Sequence, residues 1–287
     1  MISLVVATLG RVAEIGALFE SLVTAQGADF EVILVDQNPD ERLASLVAEW
    51  APRLALRHLR SARPHANAAR NLGLRHARGT LVAFPDDDCL LPPGTLARVA
   101  AAFAAEPALA VLTGPAARPE GGLGSGRWNP DSGPITLATV WTSVIEFNLW
   151  LRTEAALALG GFDEAMGPGS PFGSAEGNDL VCRALAAGFV ARYDHALRVV
   201  HPDKRLTPEA VGRAERYGRG LGFALRRHGA PGRVLLAFAV RPAGGALLSL
   251  ARGKLLDARY YWATLRGRLA GFFATPLPGP APLAAAP

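Results

Sequence analysis

The sequence predicts an α/β fold: a mostly parallel sheet flanked by helices, with a basic helical C-terminal extension. Three observations carry that expectation. Over the first 113 residues, short apolar runs alternate with stretches of helical spacing. Hydroxyl and acidic residues stand where several of those runs end, as at Thr8, Asp36 and Asp86. From Asp203 onward the chain holds 14 Lys/Arg against 4 Asp/Glu, whereas residues 1–202 hold 16 against 21.

Residues 2–7 are aliphatic and read as a first strand, since a basic leader and a long apolar core are both missing. Residues 12–26 set Val12, Ile15, Leu18, Phe19 and Leu22 on one helical face. A second strand covers 30–35 and ends at Asp36, and a helix over 41–50 stops before Pro52. A third strand spans 54–59, a third helix 66–77 and a fourth strand 80–84, which runs into Pro85-Asp86-Asp87-Asp88. A helix over 95–105 and a strand over 109–113 follow. Residues 114–134 are rich in Gly and Pro, and a loop of that length is functional or mobile. Order resumes over 135–151, where Trp141, Phe147 and Trp150 offer aromatic surface. Short helices are expected at 153–159 and 180–187, each closed by glycine, with late strands at 189–193 and 197–200. These features divide the chain into a body over 1–202, a basic helical extension over 203–275 and a Pro/Ala-rich tail over 276–287 expected to be disordered.

Composition excludes several classes. Cys89 and Cys182 are the only cysteines, which argues against a disulfide scaffold and a cysteine-rich zinc site. No apolar run is seen to approach the roughly 20 residues that span a bilayer, so a cytosolic protein is expected. The turn after the first strand reads Thr8-Leu9-Gly10-Arg11, without the Gly-rich phosphate loops of dinucleotide-binding or P-loop folds. The same absence disfavours a sugar nucleotidyltransferase. The basic extension points to a polyanion, and no nucleic-acid-binding motif accompanies it.

Several residues are candidates for chemistry. Three carboxylates at Asp86–Asp88 repel one another, and a divalent cation with its preference for oxygen ligands would relieve that repulsion. An acidic turn capping the next helix has the same composition. Asp36, at a strand end, suits a ribose or base edge, or an Asx turn. Thr8 suits a base and Arg11 a phosphate, or both belong to a plain strand-to-helix turn, and Arg70 suits a nucleotide or diphosphate, or a solvated helix face. Glu176 stands where it could lean into a cleft as a general base, while Asp179 suits a helix cap. His201 ends a strand and offers an imidazole metal ligand or a structural side chain.

Taken in order, these motifs resemble family 2 glycosyltransferases of the GT-A fold. The run comprises Thr8, Asp36, Ala69-Arg70-Asn71-Leu72-Gly73, Asp86-Asp87-Asp88, Gly160-Gly161-Phe162-Asp163-Glu164, Glu176 with Asp179-Leu180 and Arg183, and His201. The resemblance implies an inverting, metal-dependent hexosyltransferase-like enzyme that moves a sugar from a nucleotide-diphosphate donor to a hydroxyl of a glycan or lipid-linked acceptor. It implies bacterial polysaccharide or glycolipid synthesis as the setting. By this match Thr8, Arg11, Asp36, Arg70 and Asp86 line the nucleotide site, with Asp86 and Asp88 as the two acids of the Asp-x-Asp motif. Asp88 and His201 hold Mn²⁺ or Mg²⁺, and Glu176, with Asp179 second, supplies the base. Two positions depart from the family pattern. Ala7-Thr8-Leu9-Gly10-Arg11 replaces the usual Pro-Thr-Tyr-Asn-Arg, and Gly177 replaces the second acid of the usual Glu-Asp pair. The second departure keeps open another class, an inactive module that binds nucleotide sugar or glycan as a membrane-associated partner.

In the extension, Leu248, Ala251, Leu255, Ala258, Trp262, Leu265, Leu269 and Phe272 recur at helical spacing, with Arg252, Arg259 and Arg266 every seven residues. This stripe is expected to form one continuous amphipathic helix. Two occupants fit it equally: an anionic bilayer on the inner face of the cell membrane, or protein, either the body or a second copy in a homodimer.

Overall fold

Strand β1 (Ile2–Thr8) is apolar on both faces because both will be covered. The computed structural model describes every residue except Gln26, Ser125, Lys204 and Pro287. After β1 come α1 (Ala13–Thr24), β2 (Phe30–Asp36), α2 (Ala44–Trp50), β3 (Leu56–Arg60), α3 (Ala66–Arg75) and β4 (Leu81–Ala83). The first helix was expected to reach Gln26, which lies outside the described residues. The chain continues through α4 (Thr95–Ala105), β5 (Leu109–Thr113), β6 (Ala116–Ala117), β7 (Gly133–Pro134) and β8 (Leu149–Arg152). Then follow α5 (Thr153–Ala158), α6 (Glu176–Ala186), β9 (Val190–Tyr193) and β10 (Val199–Val200). Three helices close the chain: α7 (Pro208–Arg227), α8 (Gly232–Ala251) and α9 (Leu255–Phe272).

The strand order is β3-β2-β1-β4-β8-β5-β9-β7, with β6 and β10 in a separate two-stranded sheet. Strands β3, β2, β1 and β4 run parallel, and Thr8 is the register partner of Asp36. Side-chain alternation divides the core between the faces: Val5, Ile33, Val35 and Val82 pack under α3, α5 and α6, whereas Leu4, Val6, Val32 and Leu34 pack under α1 and α4. The sheet is thus a mostly parallel one with helices on both faces, as the alternation of elements predicted.

Several expectations are corrected. The ordered stretch over 135–151 contributes β8, which runs antiparallel between β4 and β5. The Gly/Pro-rich stretch carries β6 and β7, so it is built partly into the sheets. Residues 176–179, expected to precede a helix, are the first turn of α6, entered through Ala175 at φ +67°. The amphipathic stripe is not one helix. It breaks after Ala251 at Arg252-Gly253-Lys254, where Gly253 takes φ +68°, a conformation that costs glycine little. Helices α8 and α9 therefore form a hairpin. Helix α8 is also long and apolar enough, by length and composition, to cross a membrane; Arg233 and Arg241 interrupt its apolar run and hid it from the sequence reading. The tail over 276–286 has no helix or strand, yet it lies on the body: Leu283 N donates to Leu157 O at 2.9 Å and Ala286 N to Arg75 O at 2.6 Å.

Helices α7 and α9 approach backbone to backbone. A Cβ at Gly222 would stand 2.0 Å from Arg268 O, and one at Gly267 2.1 Å from Glu215 O. Large side chains of the stripe are left outside; Leu255 is 65% and Trp262 60% exposed. We expect Gly222→Ala to cost about 2 kcal/mol or more by overpacking. Gly212→Ala, whose Cβ would meet only Arg216 Nη1 at 3.6 Å, should be neutral or stabilising by up to about 1 kcal/mol. Urea unfolding of both variants checks the pair.

Candidate active site

The parallel strands deliver their C-terminal ends to one rim, where open α/β sheets bind ligands. Strand β4 leaves the sheet beside β1 and turns at once, with Cys89 N donating to Asp86 O at 3.0 Å. This turn aims three carboxylates at the rim. Leu90 and Val200 exchange backbone hydrogen bonds of 2.9 Å, which lays β10 against the acidic turn. His201 follows directly, and its Nε2 stands 3.3 Å from Asp88 Oδ1 and 4.0 Å from Asp86 Oδ2. Phe147 stacks flat on the imidazole with centroids 4.6 Å apart.

One ligand atom each from Asp86, Asp88 and His201 lies within 4.8 Å of the others. Asp88 Oδ1 is buried and accepts no hydrogen bond among the described residues. Two carboxylates and an imidazole are a fitting donor set for Mn²⁺ or Mg²⁺. The local charge agrees: Asp86, Asp87, Asp88, Glu146 and Glu176 gather at the rim, and among the described residues Arg11 and Arg70 are the guanidiniums that pair with members of this group. Burial pushes the Asp88 carboxyl up, but His201 and Arg11 outweigh it and hold the group below its ordinary value.

Arg70 projects from α3 with 6% of its side chain exposed. It reaches Asp86 Oδ1 at 2.7 Å, Glu176 Oε1 at 3.3 Å and Asn67 Oδ1 at 3.0 Å. Burial opposes its charge, yet Asp86, Glu176 and Glu146 together hold it above the ordinary guanidinium value. Glu176 is 1% exposed, and burial followed by the Glu146 carboxylate pushes it up to about 8 against the pull of Arg70. Arg11 bridges Asp87 and Asp88, and Thr8 Oγ1 donates to Asp87 Oδ2 at 2.7 Å. Burial raises Asp87 despite these donors.

Not every expected site residue joins this network. Asp36 is fully buried at the end of β2 and is saturated: it accepts from Asn38 N and Nδ2 and faces Arg60 Nη1 at 2.9 Å and His58 Nε2 at 3.1 Å. Asp179, one turn further along α6 than Glu176, is wholly buried against Arg183 at 2.8 Å, Arg227 at 3.2 Å and His228 at 2.8 Å. The geometry gives it a structural anchor in place of the expected catalytic role. Within the acidic turn the sequence reading assigned Asp87, which holds Thr8 and Arg11, no role of its own, and it did not single out Glu146. The signal for Glu146 was a lone acid inside the apolar stretch Val144-Ile145-Glu146-Phe147.

A cleft of about 560 Å³ opens from this rim. Asp86, Glu146, Asn178 and His201 line one side; Arg213, Tyr217, Tyr260, Tyr261 and Arg268 of α7 and α9 line the other. Burial pulls the Arg268 guanidinium down to about 10.

The family model for glycosyl transferase family 2 matches residues 3–153. The chain belongs to that family. An uncharacterized glycosyltransferase of Haemophilus influenzae is 36% identical over 93 residues, 32% of this chain and 31% of that protein. The O-antigen biosynthesis protein RfbC of Myxococcus xanthus is 32% identical over 165 residues, 56% of this chain and 12% of that protein. The chain thus matches less than a third of the length of either curated relative. Among solved structures, the mannosyltransferase PcManGT of Pyrobaculum calidifontis, in complex with GDP-Man and Mn²⁺, superposes with a TM-score of 0.64 at 19% identity over 93% of this chain and 86% of that one. S. aureus TarS 1–349 in complex with UDP-GlcNAc gives 0.59 at 19% identity over 92% and 90%. This family 2 chain therefore has the GT-A fold.

Within this family 2 chain the Asp179 cluster predicts a pH signature. Burial raises Asp179, but His228, Arg183 and Arg227 outweigh it and hold its pKa below the usual value. Its stabilisation is present above the unfolded-state pKa of about 4 and is lost as pH falls through the lower folded value. Asp179→Asn should cost about 3 kcal/mol at pH 7. The gap between parent and variant should narrow toward pH 3, as read by urea unfolding at both pH values.

Proposed function

We propose that this glycosyltransferase is inverting and metal-dependent, and moves a sugar from a nucleotide-diphosphate donor to a hydroxyl of a glycan or lipid-linked acceptor in bacterial polysaccharide or glycolipid synthesis. The observation that carries this reading is the convergence of Asp86, Asp88 and His201 at the strand ends, beside Arg11 and Arg70. Asp88 and His201, with Asp86 beside them, would hold Mn²⁺ or Mg²⁺. The ion would offset the charge that grows on the departing nucleoside diphosphate. Thr8 at the end of β1, Arg11 in the turn after it and Arg70 on α3 would line the donor pocket, and Asp36, paired with His58 and Arg60, would shape its base end. The groups bound in the two solved neighbours, GDP-Man with Mn²⁺ and UDP-GlcNAc, support a nucleotide-sugar donor here. The acceptor side is the helical wall, where tyrosine rings suit sugar faces and arginines suit anionic groups.

Calorimetric titration of UDP, GDP and dTDP, each with and without Mn²⁺, tests the reading on the parent and on Asp88→Ala. One nucleotide should bind with Mn²⁺ and lose at least tenfold in affinity in the variant. If none binds under any condition, the transferase reading fails.

The exposed apolar residues of α8 and α9, interspersed with arginine, support peripheral attachment to an anionic bilayer over burial against protein. The protein should co-sediment with phosphatidylglycerol-containing vesicles and not with neutral ones. Added salt should weaken that binding, and Trp262→Glu should reduce it severalfold. Equal recovery with both vesicle types would refute the attachment.

A further inference from the structure

Glu146 occupies a fixed position beside the metal-type cluster. It begins a single 3₁₀ turn, Glu146–Asn148, ahead of β8. Asn148 is fully buried and pins that turn, donating from Nδ2 to Leu197 O at 2.7 Å and Pro115 O at 3.1 Å, and accepting from Trp150 Nε1 at 2.9 Å. The next residue, Phe147, is the ring that stacks on His201. Glu146 is half-buried and faces the cleft, and among the described residues no ion pair or side-chain hydrogen bond engages its carboxylate.

The other carboxylates at the cleft are otherwise engaged. Asp86 is paired with Arg70, and Asp203 with Arg118 at 2.7 Å. Asp257 belongs to α9 on the opposite wall. Glu176 is sealed behind Arg70, and Asp179 is held by three cationic partners. The first turn of α6 also makes room for Glu146. A Cβ on Gly177 would stand 3.3 Å from both Cα and N of Glu146 and 3.4 Å from its Cβ. That is tighter than ordinary van der Waals contact, so the glycine where an acid was expected lies directly against the backbone that carries another one.

We propose that Glu146 is the general base of the transfer, replacing the acid missing at position 177. The assignment rests on the transferase reading above. The acceptor hydroxyl oxygen bonds to the anomeric carbon, and its proton passes to the Glu146 carboxylate. The bond from that carbon to the diphosphate oxygen breaks, and its electron pair leaves with the nucleoside diphosphate. Glu176 acts as a positioning residue that fixes Arg70.

The test uses the full chain, Mn²⁺ and UDP-, GDP- and dTDP-hexoses, and follows nucleoside diphosphate release with water or azide as the acceptor. Glu146→Gln should bind the nucleotide within twofold of the parent and lower release to water by about 100-fold or more. Azide attacks without losing a proton, so release with azide should be similar in parent and variant. Glu146→Asp, which keeps the carboxylate, should recover part of the rate and guards against a folding artefact. The assignment is overturned if Glu146→Gln releases nucleotide to water at the parental rate. It is also overturned if the parent binds nucleotide but turns over no donor. Absence of nucleotide binding in the parent would instead defeat the transferase reading itself.

Discussion

The site depends on one buried guanidinium. Arg70 stands between the acidic turn after β4 and the first turn of α6, and it satisfies a carboxylate from each. An unpaired charge at such depth would cost several kcal/mol, so the three groups are held only as a set. Asn67 extends the set by accepting from Arg70 and donating to Asp163 O and Met166 O, which ties α3 to the loop ahead of α6. Asp86 at the cleft and Glu176 behind it thereby acquire fixed positions, the kind of preorganisation that electrostatic catalysis needs.

A second ionic cluster decides where the C-terminal helices go. Arg227 and His228, at the end of α7, close on Asp163 and Asp179 of the body. Helix α9 then follows α7 through its glycine contacts. The result is a wall of tyrosine and arginine opposite the metal-type cluster, so the basic third of the chain forms half of the cleft. The apolar residues that this packing does not need stay on the outer surface of the hairpin. Small residues serve the protein contact and large ones remain available, which is the reverse of a helix that buries its apolar stripe in a core.

The alternation of apolar runs and helical stretches was legible along the body because strands of a parallel sheet are buried on both faces and helices on one. Strand β8 escaped because it enters antiparallel from a segment of mixed aromatic and polar residues, whose partners β4 and β5 are remote in sequence. The start of α6 escaped because Gly177 and Asn178 are poor helix formers, and tertiary contacts overrode that preference. The heptad spacing of the C-terminal stripe continued across Gly253 by coincidence of register, so periodicity alone could not reveal a hairpin.

By itself, the sequence determined the sheet-and-helix alternation, the acidic turn after β4 and the order of motifs that placed the chain in its family. These are local properties, set by side-chain period and by residue type at strand ends. Only the tertiary structure decided which acids face the cleft. Asp179 and Glu176 are three residues apart on one helix, yet one anchors α7 and the other fixes Arg70. Glu146 comes to the site from a segment with no motif at all, because the Asn148 hydrogen bonds and the stacking of Phe147 on His201 bring it there. Distance along the chain does not encode that convergence; long-range packing creates it.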